Sequence, residues 1–180
     1  MNDLFSLQGR VALVTGGSRG IGRMIATGFL KQGARVYITA RKAAACDATA
    51  AELASLGTCI SIPGDVSTVA GARALAAALA EREPALDILV NNAGAAWAEP
   101  FDVFPESGWD KVMNVNVKTP FFLTQALHPL LVKAAAGRTA KVINVASIDG
   151  ISVNPLETYS YAASKAGLIH LTKRLSLRLA

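Results

Sequence analysis

The chain has 180 residues, of which 52% are hydrophobic and 17% charged, and a formal net charge of +5. This length carries one domain with a sizeable core, and the composition excludes a disordered or low-complexity polypeptide. Lys and Arg are scattered, with no basic run or aromatic interleaving, so nucleic acid is not an expected partner.

No apolar run is long enough for a membrane span, and MNDLFSLQGR lacks the charged and apolar regions of a signal peptide. The expected compartment is therefore the cytoplasm, with no membrane partner. Cys46 and Cys59 belong to no CxxC pair and form no disulfide framework, and His128 and His170 have no ligand-spaced partner, so no metal site is expected.

Short apolar runs alternate with helical patterns. RVALVT (10–15) reads as a first strand buried on both faces. After a glycine-rich turn, residues 21–32 form a helix with Ile21, Met24, Ile25 and Phe29 on one side and Gly33 as its stop. Strands follow at 35–40, 58–62, 86–91 and 140–146. Alanine-rich helices span 43–56 and 69–82, and a long helix runs from about 107 towards 135, where Pro129 is expected to kink it or cut off its last turns. A last helix runs from about 157 to the end of the sequence. Five strand–helix alternations without a linker predict a Rossmann-type, doubly wound parallel α/β sheet with helices on both faces, as a single domain over 1–180.

TGGSRGIG places Gly16, Gly20 and Gly22 between the first strand and the first helix. Glycines there permit a tight turn and let backbone N–H groups approach a pyrophosphate at a helix N-terminus. The spacing is GxxxGxG, and no GK[ST] follows, which disfavours a nucleoside-triphosphate loop. An NAD site places an acid at the end of the second strand. Here that end reads Ile38-Thr39-Ala40-Arg41-Lys42. Arg41 and Arg19 can meet a 2′-phosphate, or each can be a solvated surface charge; two cations where a carboxylate is otherwise needed point to NADPH. Asp65 lies where an adenine amino group is reachable, or serves as a turn residue. Asn92, Ala93 and Gly94 after the fourth strand suit a backbone brought close to a ribose, or equally a locked turn.

The stretch 142–167 begins as a strand and ends in a helix carrying Tyr161 and Lys165, four residues apart and so on one face. Ser147 sits where the strand runs out. A phenol beside an ammonium and a hydroxyl can protonate a carbonyl oxygen.

With these residues the chain resembles the short-chain dehydrogenase/reductase family. TGGSRGIG, NNAG, the strand-end Ser147 and Tyr161-Ala-Ala-Ser-Lys165 occur in its order. Within the family, the likeness is to NADPH-dependent 3-oxoacyl reductases of the rhamnolipid-synthesis type, with a similar opening and a similarly long Ser-to-Tyr loop. The resemblance implies NADPH as cofactor and reduction of a ketone, a 3-oxoacyl thioester carried on acyl carrier protein or coenzyme A. It implies Asn116, Ser147, Tyr161 and Lys165 as catalytic residues. The cofactor would be held by Gly16, Ser18, Arg19, Gly20, Ile21, Gly22, Arg41, Asp65, Val66, Asn92, Ala93 and Gly94, with Tyr161 and Lys165. The resemblance implies Asn116 over Asn114, because the family's pattern places the functional asparagine seven residues beyond a tryptophan, here Trp109. Asn116 is expected to hold a water that links Lys165 to solvent. Tyr159 has Ala163 instead of a lysine four residues on and is expected to be a loop or pocket-wall aromatic. Pairing of copies through the long helix and the Tyr–Lys helix is a further implication.

Family members continue beyond the helix in which this sequence stops, so the expectation is a C-terminally incomplete domain that lacks the last strand or strands. Two other functions stay open: reduction or oxidation of another ketone or alcohol, and a non-catalytic nucleotide-binding role.

Overall fold

The computed structural model describes residues 3–179, so the ends of the expected 1–180 domain (residues 1, 2 and 180) lie outside the described residues. Five strands form one parallel sheet: β1 (Val11–Thr15), β2 (Arg35–Thr39), β3 (Cys59–Ser61), β4 (Ile88–Asn91) and β5 (Lys141–Asn144). Their order in the sheet is β3-β2-β1-β4-β5. Alternate residues of each inner strand enter different cores, as a sheet covered on both faces requires. Leu13, Tyr37 and Leu89 pack on one side with α3 (Val69–Ala80) and α5 (Thr119–Ala135). Val14, Val36, Ile38 and Val90 pack on the other with α1 (Gly20–Lys31) and α2 (Ala43–Leu53).

Helix α1 departs from the expected apolar stripe. Ile21 and Met24 are exposed, and the face turned to the sheet is Gly22, Ala26 and Leu30, flanked by half-buried Ile25 and Phe29. Small residues win because the helix begins so close to the strand end that a larger side chain has no room.

The long helix also differs. It is interrupted not at Pro129 but at a π-helical turn, Asn114–Lys118, between α4 (Glu106–Met113) and α5. Helix α5 runs through Pro129 to Ala135, so the proline does not end it. The turn inserts a residue's worth of rotation and aims Asn116 inwards, where it is buried. The last helix, α6 (Tyr159–Leu179), packs against α4 and this turn. Among the described residues no helix is long and apolar enough to cross a membrane, and no group of three or more His, Cys, Asp or Glu side chains is placed to hold a metal ion. Cys46 is buried and Cys59 half-buried, both free, and burial pushes the Cys59 thiol up to about 11.

At the amino ends of the strands, buried Asp87 accepts from Arg10 Nη1 at 3.0 Å and from the Val11 N–H at 2.8 Å. It also takes a two-pronged contact from Arg138, Nε at 2.6 Å and Nη2 at 2.8 Å. One carboxylate thus joins the start of β1, the start of β4 and the loop before β5. Asp87→Ala should lower unfolding free energy by roughly 3 kcal/mol, because a half-buried amide and two guanidinium groups lose their acceptor. Arg10→Ala should cost about 1 kcal/mol, since that side chain is partly solvated. Urea denaturation of the two variants measures both.

Candidate active site

The crevice opens where the strand order reverses. β1 and β4 are neighbours, yet α1 and α5 cover opposite faces, which leaves a gap at the carboxyl ends of the two strands. Thr15, the last residue of β1, pins the two sides. Its Oγ1 accepts the Asn92 and Ala93 N–H groups at 3.0 and 2.9 Å and donates to the Val90 carbonyl at 3.3 Å. Asn92 returns its Nδ2 to the Thr15 and Gly16 carbonyls at 2.9 and 3.4 Å.

The glycine turn lies on this pin. Gly16 has φ +66°, and a Cβ on Gly22 would stand 2.3 Å from the Gly16 carbonyl oxygen, so neither position tolerates a side chain. Helix α1 starts with no side-chain cap, so its first N–H groups remain available to an anion at the crevice. Ser18 is tied down by Thr49, whose hydroxyl donates to the Ser18 carbonyl at 3.0 Å, and Gly20 and Ile21 open the first turn with Ile21 exposed. The uncapped helix start, with open space at Gly20 where a Cβ would meet no protein atom, fits a dinucleotide phosphate.

Arg19 and Arg41 are exposed, and among the described residues neither is in an ion pair. Asp65 Oδ1 accepts the Ser67 N–H at 2.9 Å, so the carboxylate closes its own turn. That bond, with the charge of Arg41 a lesser cause, holds its carboxyl below the usual value. Val66 is buried in the core and its carbonyl accepts the Thr119 hydroxyl. Gly94 lies beside Asn116, where a Cβ would stand 3.5 Å from Oδ1.

The second cluster assembles on α6. Lys165 is 5% exposed, its Nζ donates to the Val145 carbonyl at 2.7 Å, and it stands 5.6 Å from the centre of the Tyr161 ring. Burial holds the Lys165 ammonium below the ordinary lysine value. Ser147 follows β5 and caps a short 3-10 turn, Ile148–Gly150, accepting the Asp149 N–H at 3.2 Å. The hydroxyl proton has no acceptor among the described residues, so the cap role and donation to a substrate oxygen are compatible. The turn rests directly on α6, where a Cβ on Gly150 would come within 2.7 Å of the Lys165 carbonyl carbon. Ser147 and the Tyr161–Lys165 turn are thereby held on one side of the crevice.

Asn116 is 1% exposed and its amide is engaged with the protein. Nδ2 donates to the Ala95 carbonyl and to Ser164 Oγ, both at 2.9 Å, while Oδ1 accepts the Ala95 N–H at 2.9 Å. The side chain is a clamp between the β4 loop and α6, with only one lone pair of Oδ1 left for the expected water. Asn114 is half-buried, and its carbonyl accepts the Thr119 hydroxyl. Tyr159 opens α6 and donates to Glu157.

Sequence reasoning passed over Thr15, Ser164 and a polar chain behind the site. Ser164, fully buried, receives Asn116 and donates to the Tyr161 carbonyl at 2.7 Å. Asn91 Nδ2 donates to Asn144 at 2.8 Å and to Thr124 at 3.3 Å, and Asn144 donates to Thr172 at 2.9 Å. Asn91 Oδ1 is buried without a partner. The signal was small: polar residues within otherwise apolar strands and within a helix interior.

The family profile described as short chain dehydrogenase matches residues 10–180. The chain is 52% identical, over 180 residues, to the rhamnolipids biosynthesis 3-oxoacyl-[acyl-carrier-protein] reductase of Pseudomonas aeruginosa, covering 99% of this chain and 70% of that protein. It is 35% identical to 5-keto-D-gluconate 5-reductase of Escherichia coli over 181 residues, covering 70% of it. The solved Pseudomonas aeruginosa RhlG/NADP active-site complex superposes with a TM-score of 0.96 at 52% identity, covering 99% of this chain and 70% of that one.

Lys165 is buried with a single carbonyl acceptor and no carboxylate partner among the described residues, so its charge opposes folding. Lys165→Met should raise stability at neutral pH by about 1 kcal/mol. A lysine whose pKa is lower in the folded chain leaves the unfolded chain binding more protons in the window below the ordinary value of 10.5. Wild-type stability should therefore rise with pH there, and the variant should lose that dependence. Cofactor-free urea titrations across alkaline pH read both.

Proposed function

The chain belongs to the short-chain dehydrogenase/reductase family, and on that premise we propose that it is an NADPH-dependent reductase acting in the cytoplasm, converting a ketone, a 3-oxoacyl thioester, to a secondary alcohol. The carrying observation is the buried Lys165 ammonium beside the Tyr161 ring, at the same carboxyl end of the sheet as an uncapped helix N-terminus. The names of the Pseudomonas relative and of its NADP complex support the acyl substrate, on acyl carrier protein or coenzyme A, and the cofactor.

In this assignment Gly16, Ser18, Gly20, Ile21 and Gly22 would cradle the pyrophosphate, and Arg19 and Arg41 would meet the 2′-phosphate. The turn at Asp65 and Val66 would hold the adenine through the Asp65 carboxylate and the backbone, the Val66 side chain being buried in the core, and Asn92, Ala93 and Gly94 would back the ribose. NADPH, when bound, would supply the hydride for the reduction. Ser147 donates its free hydroxyl proton to the carbonyl oxygen and orients it. Tyr161 transfers its phenolic proton to that oxygen, and the Lys165 ammonium stabilises the phenolate left behind. Asn116 keeps the β4 loop and α6 in register through Ala95 and Ser164, so that the groups on the two elements act on one substrate.

Tyr161→Phe should abolish NADPH oxidation with an acetoacetyl thioester while leaving the NADPH Kd within about threefold, since the ring and its packing persist. Retained turnover would reject the assignment. NADPH binding by the wild type with no carbonyl reduced would mark a nucleotide-binding protein instead. Arg41→Asp should lower kcat/KM for NADPH about 30-fold, the equivalent of one charge-assisted hydrogen bond, without a matching loss for NADH. Steady-state rates with both nucleotides decide it.

A further inference from the structure

Two loops flank Ser147 and Tyr161: residues 95–105 after β4 and residues 148–158 between β5 and α6. One carboxylate joins them. Glu157 Oε1 accepts the Phe101 N–H at 3.1 Å and the Tyr159 hydroxyl at 2.9 Å, and the Glu157 carbonyl accepts the Glu99 N–H at 3.3 Å. The Tyr159 ring meets Phe101 and Phe104 edge-on, each at 5.7 Å between centroids. Five contacts thus converge on Glu157 and Tyr159, two of them strengthened by the carboxylate charge.

The joined loops carry large apolar side chains in the open: Phe101, Val103, Ile148, Ile151, Val153 and Leu156 are all exposed. Apolar groups gathered beside polar catalytic groups mark a place where a ligand buries its own apolar part. Ile148 follows Ser147 directly and Leu156 lies five residues before Tyr161, so the exposed apolar side chains of this loop begin and end next to the groups proposed to hold the carbonyl.

We propose that the Glu157 clasp shapes the wall that takes the alkyl part of the substrate, which makes Glu157 a positioning residue for acyl-chain length. The inference rests on the carbonyl-reductase reading of the same site. It distinguishes long-chain 3-oxoacyl groups from sugar or short ketones, which have no tail to place there. Each methylene removed from water against such a wall contributes about fourfold in kcat/KM. Glu157 touches neither the carbonyl nor the proton donor; it acts by keeping Phe101 and the segment 148–158 facing each other.

The test compares 3-oxobutanoyl and 3-oxodecanoyl thioesters of N-acetylcysteamine with NADPH, for the wild type, Glu157→Ala and Glu157→Gln. The wild type should prefer the longer chain by at least about tenfold in kcat/KM. In Glu157→Ala that preference should fall about tenfold, as if roughly two methylenes were returned to water, and through KM rather than kcat. Gln keeps an acceptor oxygen and should recover most of it. Ile151→Ser, at an exposed position that cannot unfold the core, should also lower the preference. Equal efficiency for both chains in the wild type, or an unchanged ratio in Glu157→Ala and Ile151→Ser, overturns the proposal. Equal losses for both chains would assign Glu157 a purely structural role and overturn it too. Reduction of neither thioester by a wild type that binds NADPH removes the carbonyl-reductase reading and this inference with it.

Discussion

A single buried amide joins the two halves of the site. Asn116 holds Ala95, on the loop that leaves β4, and Ser164, on the helix that carries Tyr161 and Lys165. In a low-dielectric interior an unpaired amide is costly, so three good hydrogen bonds make one arrangement of loop and helix far more stable than its neighbours. The π-helical turn, Asn114–Lys118, makes this possible by breaking the regular phase of the long helix. An uninterrupted helix would carry residue 116 to a different face. The irregularity is thus a device for aiming one side chain, and it sits at the centre of the proposed chemistry.

The same principle recurs at the crevice. Thr15 ends β1 with a hydroxyl that takes two N–H groups from the β4 loop, and Asn92 answers with bonds to the β1 carbonyls. The glycine turn gains its position from that reciprocal pin, and the close approach of Gly22 to the Gly16 carbonyl follows. Behind it, Asn91, Asn144 and Thr172 extend polar contacts from β4 across β5 to α6. Polar satisfaction, more than apolar burial, sets where the helix carrying Tyr161 and Lys165 rests relative to the sheet.

Lys165 shows the tension between folding and function. A buried ammonium with one carbonyl acceptor is a poor stabilising group, and burial lowers its affinity for the proton. In the proposed mechanism its value is the field it exerts on the neighbouring phenol, which a solvated lysine would exert much more weakly. Sites that store such unfavourable charge depend on a firm scaffold elsewhere, here the two apolar cores and the Asp87 junction at the far end of the strands.

Much of this was legible in the residues alone. Alternating apolar runs and helical patterns predict the five parallel strands, because burial on two faces demands them, and the glycine turn and the Tyr161–Lys165 spacing mark the two ends of the crevice. Periodicity misjudged α1, where hydrophobicity favours Ile21 and Met24 but steric room favours Gly22 and Ala26. It also expected Pro129 to kink the long helix or cut off its last turns, whereas the helix continues to Ala135 and its irregular turn lies over Asn114–Lys118, residues with no breaker among them. The tertiary structure alone decided the partners of Asn116, Thr15, Ser164 and Glu157. Most of those contacts join residues between 21 and 78 positions apart. A side chain's local pattern reports which face it prefers; its hydrogen-bond partner is chosen only when distant segments are packed and water is excluded, which is when an unpaired polar group becomes costly.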